Sequence, residues 1–156
     1  MKKLTIILSL TVMALFCCQC ATSSQYRQAK KGAKSIQFQT LENYYVRNDV
    51  KHDKLQRYIF DNQEDFDAVF GPAPLMGGLP TDINWKRQYV VAVLLPETNR
   101  PTMVTPMEVK QSPGNIIFYY QVNRGRKTSY TLVPFAAVAL DRTVDPQQLQ
   151  VFYIEK

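Results

Sequence analysis

Residues 88–95 read QYVVAVLL, and this run carries the clearest indication of the fold. Successive side chains of a β-strand point to opposite faces of the sheet, and here both sets of positions carry apolar side chains. That pattern is typical of a strand that is covered on both sides. We therefore expect residues 88–95 to form a central strand and the best part of the core.

The chain from residue 36 onward consists mainly of short runs of Tyr, Val, Ile and Phe, punctuated by Pro, Gly and Asn. Such runs are typical of β-strands. They predict further strands at 35–46, 57–60, 104–110, 115–122, 129–133, 135–140 and 149–154. SPGN at 112–115 and NRGR at 123–126 predict hairpin turns. The pattern favours a mostly β fold, an antiparallel β-sandwich or partly open barrel of about seven or eight strands with one short α-helix.

The helix is predicted at residues 63–70, where Phe66, Val69 and Phe70 recur at helical spacing. The segment around its start supplies capping and acidic side chains, namely Asp61, Asn62, Glu64, Asp65 and Asp67. Acidic groups near the start of a helix are stabilised by its dipole. We therefore interpret this cluster as helix-terminus chemistry rather than as a metal or acid–base site.

The first residues of the chain resemble a targeting signal. Two lysines precede an apolar run at residues 4–16, LTIILSLTVMALF. As a helix this run would span about 20 Å, short of the roughly 30 Å hydrocarbon core of a bilayer. We predict a signal peptide at residues 1–17 rather than a stable transmembrane span.

The residues that follow resemble a bacterial lipoprotein processing site, in which a Leu at −3 and a small residue at −1 precede the lipidated Cys. Cys18 has Leu15 and Cys17 at those positions, and Cys20 is the alternative. The resemblance implies a lipid anchor on Cys18 that holds the protein at the cell envelope. We expect the outer membrane, with the domain facing the periplasm or the exterior. A cleaved, soluble secreted protein is the alternative.

Residues 18–35 are rich in Ser, Gln, Ala and cations, and we predict a lipidated Cys followed by a flexible basic tether. Their cations are Arg27, Lys30, Lys31 and Lys34. We interpret these cations as solvated, with contact to anionic headgroups as the alternative. Residues 36–156 are expected to form a single β-rich domain. The formal net charge of +6 includes the two lysines of the signal peptide, and no long basic stripe indicates nucleic acid as a partner.

The chain offers little material for catalysis. All three cysteines lie within the first twenty residues, and His52 is the single histidine, in a polar stretch where we expect it to be exposed. Neither Ser112 nor Ser129 lies in a nucleophile elbow, and there is no phosphate-binding glycine loop. We therefore expect no catalytic residue, no metal, no cofactor and no enzymatic activity.

Three loops favour a binding function. Residues 71–81 (GPAPLMGGLPT) place large apolar side chains among prolines and glycines, which limit the entropy lost on docking. The alternative is that these side chains cap an open end of the core. Residues 96–103 form a second loop, and Arg124, Arg126 and Lys127 form a third, basic one. The alternative for the arginines is that they lie in solvated turns. The predicted partner-binding residues are Leu75, Met76, Gly77, Gly78, Leu79, Asn99, Arg100, Arg124 and Arg126.

The region from residue 58 to 156 resembles the PrcB-like C-terminal domain family. The shared features are a short helix (DNQEDFDAVFG), a Pro/Gly-rich loop, DINW leading into the apolar strand YVVAVLL, and the late motif TLVPF at 131–135. Where the family has a glycine-rich loop with a Tyr, this chain has PETNRPTM at 96–103. The resemblance implies an exported lipoprotein that acts as the partner of a secreted protease complex.

These observations together predict a cell-envelope lipoprotein that binds a secreted or surface protease through rigid loops and inhibits or stabilises it. Two alternatives come from other classes of protein. One is a structural or assembly lipoprotein of the envelope. The other is a small-ligand or glycan binder that uses surface tyrosines and Trp85.

Overall fold

The computed structural model describes residues 18–49, 52–73 and 78–156, with the side chains of residues 18–22 excepted. The predicted signal peptide and the predicted site residues Leu75, Met76 and Gly77 lie outside the described residues. The elements are α1 (Cys18–Lys30), β1 (Lys34–Ile36), β2 (Gln39–Thr40), β3 (Tyr44–Val46), β4 (Gln56–Phe60), α2 (Gln63–Val69), β5 (Phe70–Pro72), β6 (Gln88–Leu94), β7 (Thr102–Ser112), β8 (Asn115–Arg124), β9 (Phe135–Asp141), a 3₁₀ turn (Pro146–Gln148) and β10 (Gln150–Glu155).

The strands form two four-stranded sheets and a small two-stranded one. The first sheet has the order β1-β7-β8-β10, the second has the order β2-β9-β6-β4, and β3 pairs with β5. The pairings are antiparallel except that β10 runs parallel to β8. Inward side chains of the two larger sheets share one core, so the predicted β-sandwich is confirmed.

Strand β6 is central and buried on both faces, as its sequence predicted. Tyr89, Val91 and Val93 point into the core between the two sheets. Val90 and Leu94 point to the opposite face, where they pack in a second core with α2. Fully burying a side chain of this size contributes about 1.5–3 kcal/mol, so this one strand supplies a substantial part of the domain's stability.

Helix α2 forms within one residue of its predicted bounds. The side-chain oxygen of Asn62 accepts a hydrogen bond from the backbone N–H of Asp65 at 2.9 Å, which satisfies one of the amides left unpaired at a helix start. Phe66 and Val69 are buried, and the Phe66 ring stacks on Phe70 with centroids 4.8 Å apart. The helix thereby covers the outer face of the second sheet.

Residues 18–35 were predicted to form a flexible tether, but residues 18–30 form helix α1, which packs on the first sheet. Tyr26 and Ala29 lie three residues apart on one side of the helix, and Ala29 is only 2% exposed. This side packs on the outer face of the first sheet against Tyr119 and Phe152, and the Tyr26 and Tyr119 hydroxyls lie 3.3 Å apart. The composition of the segment did not reveal this packing. Two apolar side chains are enough to dock a helix when the sheet supplies an apolar face for the helix to cover. None of the helices in the described part of the chain has the length and apolar composition needed to span a bilayer.

Other predicted elements differ in detail. The predicted strand at 35–46 is divided into three short strands, with a backbone φ of 61° at Asn43. The predicted strand at 129–133 is absent, and only an isolated bridge joins Leu132 to Thr98. The turn at 112–115 is confirmed, with Gly114 at φ 73°, whereas β8 continues through Arg124 into the second predicted turn.

Candidate functional site

Two connections meet at one end of the sandwich, which we call the loop end. They are residues 95–101, between β6 and β7, and residues 125–134, between β8 and β9. Thr98 and Leu132 exchange two backbone hydrogen bonds, both 2.9 Å long, and the N–H of Gly125 donates to the carbonyl of Pro101 at 2.7 Å. These bonds fix the two connections to each other in the manner of a short ladder.

The same bonding brings together residues that the sequence placed in two separate candidate loops. The carbonyl of Asn99 accepts hydrogen bonds from the backbone N–H of Thr128 at 2.7 Å and from its hydroxyl at 3.0 Å. Arg100 donates from Nη1 to the carbonyl of Gly125 at 3.5 Å. Asn99 and Arg100 therefore lie on one surface with the third predicted loop, which carries Arg126.

Two large apolar side chains at the loop end were missed by the sequence analysis. Met103 is 66% exposed and Tyr130 is 57% exposed. Met103 precedes the buried Val104 in β7, so strand alternation is the signal that points it outward. Tyr130 fell in the segment that was wrongly predicted to be a strand. A shallow cavity of about 580 Å³ is lined by Pro101, Thr102, Met103, Asn123, Arg124, Gly125 and Leu132.

Cationic side chains lie beside this cavity, because Arg124 lines it and Arg100 bonds to Gly125, which also lines it. Arg100 and Arg126 are exposed, and Arg124 lies 3.7 Å from Glu155 in an ion pair whose side chains are about half exposed. A surface pair of this kind contributes little to stability and is easily exchanged for another partner. The loop end thus offers an apolar patch beside cations that are accessible to a carboxylate.

Gly78 and Leu79 belong to a segment that is held by contacts with residues 43 and 44. The side-chain amide of Asn43 donates to the carbonyl of Leu79 at 3.0 Å, and the Tyr44 hydroxyl donates to the carbonyl of Thr81 at 2.8 Å. These contacts hold the segment beside the connection between β2 and β3. Leu79 is 84% exposed, so it does not cap the core as the alternative interpretation proposed.

His52 is half-buried, which corrects the expectation of an exposed loop histidine. Its Nε2 lies 3.0 Å from the carbonyl of Arg47, so Nε2 carries a proton and donates it. In the part of the chain that the structure describes, its buried Nδ1 has no hydrogen-bond partner. An open cavity of about 1060 Å³ adjoins it, lined by Asn48, Asp49, His52, Asp53, Pro96, Glu97, Thr131 and Val133. Within residues 18–49, 52–73 and 78–156, no group of three or more His, Cys, Asp or Glu side chains could hold a metal ion.

The remaining sequence candidates have structural partners. Asp61 forms an ion pair with Arg142, and Asp65 accepts from the side-chain amide of Asn62 at 2.8 Å. Trp85 packs on Phe66 with ring centroids 5.6 Å apart, inside the aromatic cluster of the second core. These contacts support the helix-terminus interpretation of the acidic cluster and place Trp85 in a packing role.

Comparisons of the chain with protein-family models, with curated proteins and with solved structures found no match. The resemblance to the PrcB-like family therefore stays a prediction from the motifs.

Proposed function

We propose that this protein is a cell-envelope lipoprotein whose β-sandwich binds a partner protein with its loop end. The observation that carries the proposal is the hydrogen bonding between the two connections, which unites an apolar patch and several cations on one fixed surface. A structural or assembly lipoprotein, which is the alternative, would also bind other proteins through its surface. That function does not require the two connections to be joined by hydrogen bonds.

The joined connections lower the cost of binding. Ordering a flexible loop on association opposes affinity, and five backbone hydrogen bonds already hold these two connections together in the free protein. The exposed side chains are of the right kind, because Tyr, Met and Arg are enriched in protein interfaces and Tyr and Arg are frequent hot spots. Met103, Tyr130 and Arg100 are accordingly the residues that we expect to carry affinity.

The surface also indicates the chemistry of the partner. An apolar patch beside Arg100 and Arg126 suits an apolar side chain that is flanked by carboxylates. We propose an exported protease as the partner on the strength of the PrcB-like resemblance, and either inhibition or stabilisation is compatible with binding at this surface. The glycan-binding alternative loses support because Trp85 is packed in the aromatic cluster.

The test is to measure binding of the purified protein to the exported proteases of its source, together with the activity of each protease. Tyr130→Ala and Met103→Glu should each weaken binding by about 30-fold or more, as expected for hot-spot residues. Val144→Ala is the matched control, because Val144 is 43% exposed and its neighbour Thr143 bonds to Gln111 at the opposite end of the sandwich. No binding to any of these proteases would overturn the protease assignment. Equal losses in all three variants would overturn the assignment of the surface.

A further inference from the structure

We infer that the outward side of α1, together with the turn that follows it, binds the headgroups of an anionic bilayer. This α1 basic surface consists of Arg27, Lys30, Lys31 and Lys34, all of them exposed. The inference does not depend on the identity of the partner protein or on acylation of Cys18.

The packing of α1 gives the cations a fixed place. Tyr26 and Ala29 are held against the first sheet, so Arg27 and Lys30, three residues apart on the helix, are kept on its exposed side. A flexible tether would disperse the same charges in solution. A docked helix instead presents them together to a flat surface.

No acidic residue lies near these cations in the sequence. The chain contains no Asp or Glu before Glu42. None of the ion pairs among the described residues includes a member of the α1 basic surface. Nearby cations behave differently, because Lys110 and Lys156 both pair with Glu108, at 3.3 and 3.5 Å. Because the α1 basic surface takes part in none of these ion pairs, its charge is complementary to that of an anionic surface.

The position of α1 also fits a bilayer. Lys34 pairs with Gln111 next to the β7–β8 turn, and Gln150 donates to the Gln25 side chain at 3.2 Å. These contacts place α1 at the hairpin end, by which we mean the end that carries the turn at 112–115. Strand β7 has 11 residues and spans roughly 35 Å, so the loop end lies far from this helix. The predicted lipid anchor on Cys18 would bring this same helix to the membrane.

The test measures binding of the unlipidated protein to vesicles. The chain from residue 18 onward, with Cys18→Ser and Cys20→Ser, retains every described element. It is sedimented with vesicles of about one-third phosphatidylglycerol in phosphatidylethanolamine, and separately with phosphatidylcholine vesicles. Each cation near an anionic surface strengthens binding about fivefold, so Arg27→Gln/Lys30→Gln should lower the partition constant about 25-fold. Gln is a good helix former, and circular dichroism checks that α1 persists.

The matched control is Arg126→Gln/Lys127→Gln, which removes the same charge at the loop end and should leave the partition constant within about twofold. Raising the salt to about 1 M, where the Debye length is about 3 Å, should abolish binding of the parent protein. Failure to bind the anionic vesicles, equal binding to phosphatidylcholine, or equal losses in the two double variants would overturn the inference. Because the α1 variant leaves the loop end intact, its result is distinct from the test of partner binding.

Discussion

At the scale of single residues, Tyr153 joins the edge strands of the two sheets. Its hydroxyl donates a 2.7 Å hydrogen bond to the carbonyl of Tyr58, so β10 of one sheet is tied to β4 of the other. Burial raises the pKa of Tyr153 above its ordinary value of 10.0. The protonated hydroxyl is therefore the form that the folded state favours.

Tyr153→Phe tests this tie. Removing the hydroxyl leaves the Tyr58 carbonyl without that donor, and the free energy of unfolding should fall by about 1 kcal/mol in urea denaturation. Above about pH 10 the unfolded chain releases the phenolic proton while the folded state retains it, so stability falls as the pH rises. This alkaline decline should be shallower in Tyr153→Phe. Tyr45→Phe, at a side chain that is 46% exposed, is the control, and equal effects of the two substitutions would contradict the assignment.

At the scale of elements, α1 packs on the outer face of the first sheet and is part of the folded domain. Ala29 is in contact with the apolar face formed by Ile117, Tyr119 and Phe152. Ala29→Glu would bury a carboxylate there without a partner, which costs at least several kcal/mol unless the helix detaches. We expect the helix to detach, which should speed proteolysis after Arg27 and Lys30. Gln28→Glu, on an exposed position of the same helix, should leave the rate of cleavage after Lys30 unchanged. Unchanged cleavage in Ala29→Glu would support the flexible tether instead.

The elements also show what could be predicted from the sequence. Strand β6 and the turn at 112–115 depend on local signals, namely continuous apolar residues and a glycine with positive φ, and both were predicted. The docking of α1 depends on a distant partner, the apolar outer face of β8 and β10, which no local pattern reveals. The segment at 129–133 has the composition of a strand, yet at Leu132 it forms only a bridge to the preceding connection.

The candidate site, too, could be predicted only where it depends on local composition and not on long-range contacts. Asn99, Arg100, Arg124 and Arg126 were singled out by loop composition, and the structure places them at the loop end. The two connections meet because β6 pairs with β9 in one sheet and β7 pairs with β8 in the other. The composition of the loops does not encode these long-range pairings. Tyr130 was missed because it lies in a strand-like run, where a large apolar side chain is ordinarily assigned to the core. Met103 ends the second predicted loop, where Asn99 and Arg100 were singled out instead.

At the scale of the whole molecule, the sandwich has two chemically different ends. The hairpin end carries the α1 basic surface and adjoins the predicted lipid anchor. The loop end carries exposed Met103 and Tyr130 beside cations, roughly 35 Å away along β7. We propose that the first end faces the membrane and the second faces a protein partner.

The most direct test of this account is site-specific photo-crosslinking in living cells of the source organism. A photoreactive amino acid replaces Tyr130 at the loop end or, as the control, the exposed Val144 at the hairpin end of the full chain. We predict a covalent adduct with an exported protein from position 130 alone, and loss of that adduct when Arg100→Glu is added. No adduct at position 130, or the same adduct from both positions, would contradict the claim that the loop end is the partner-binding surface.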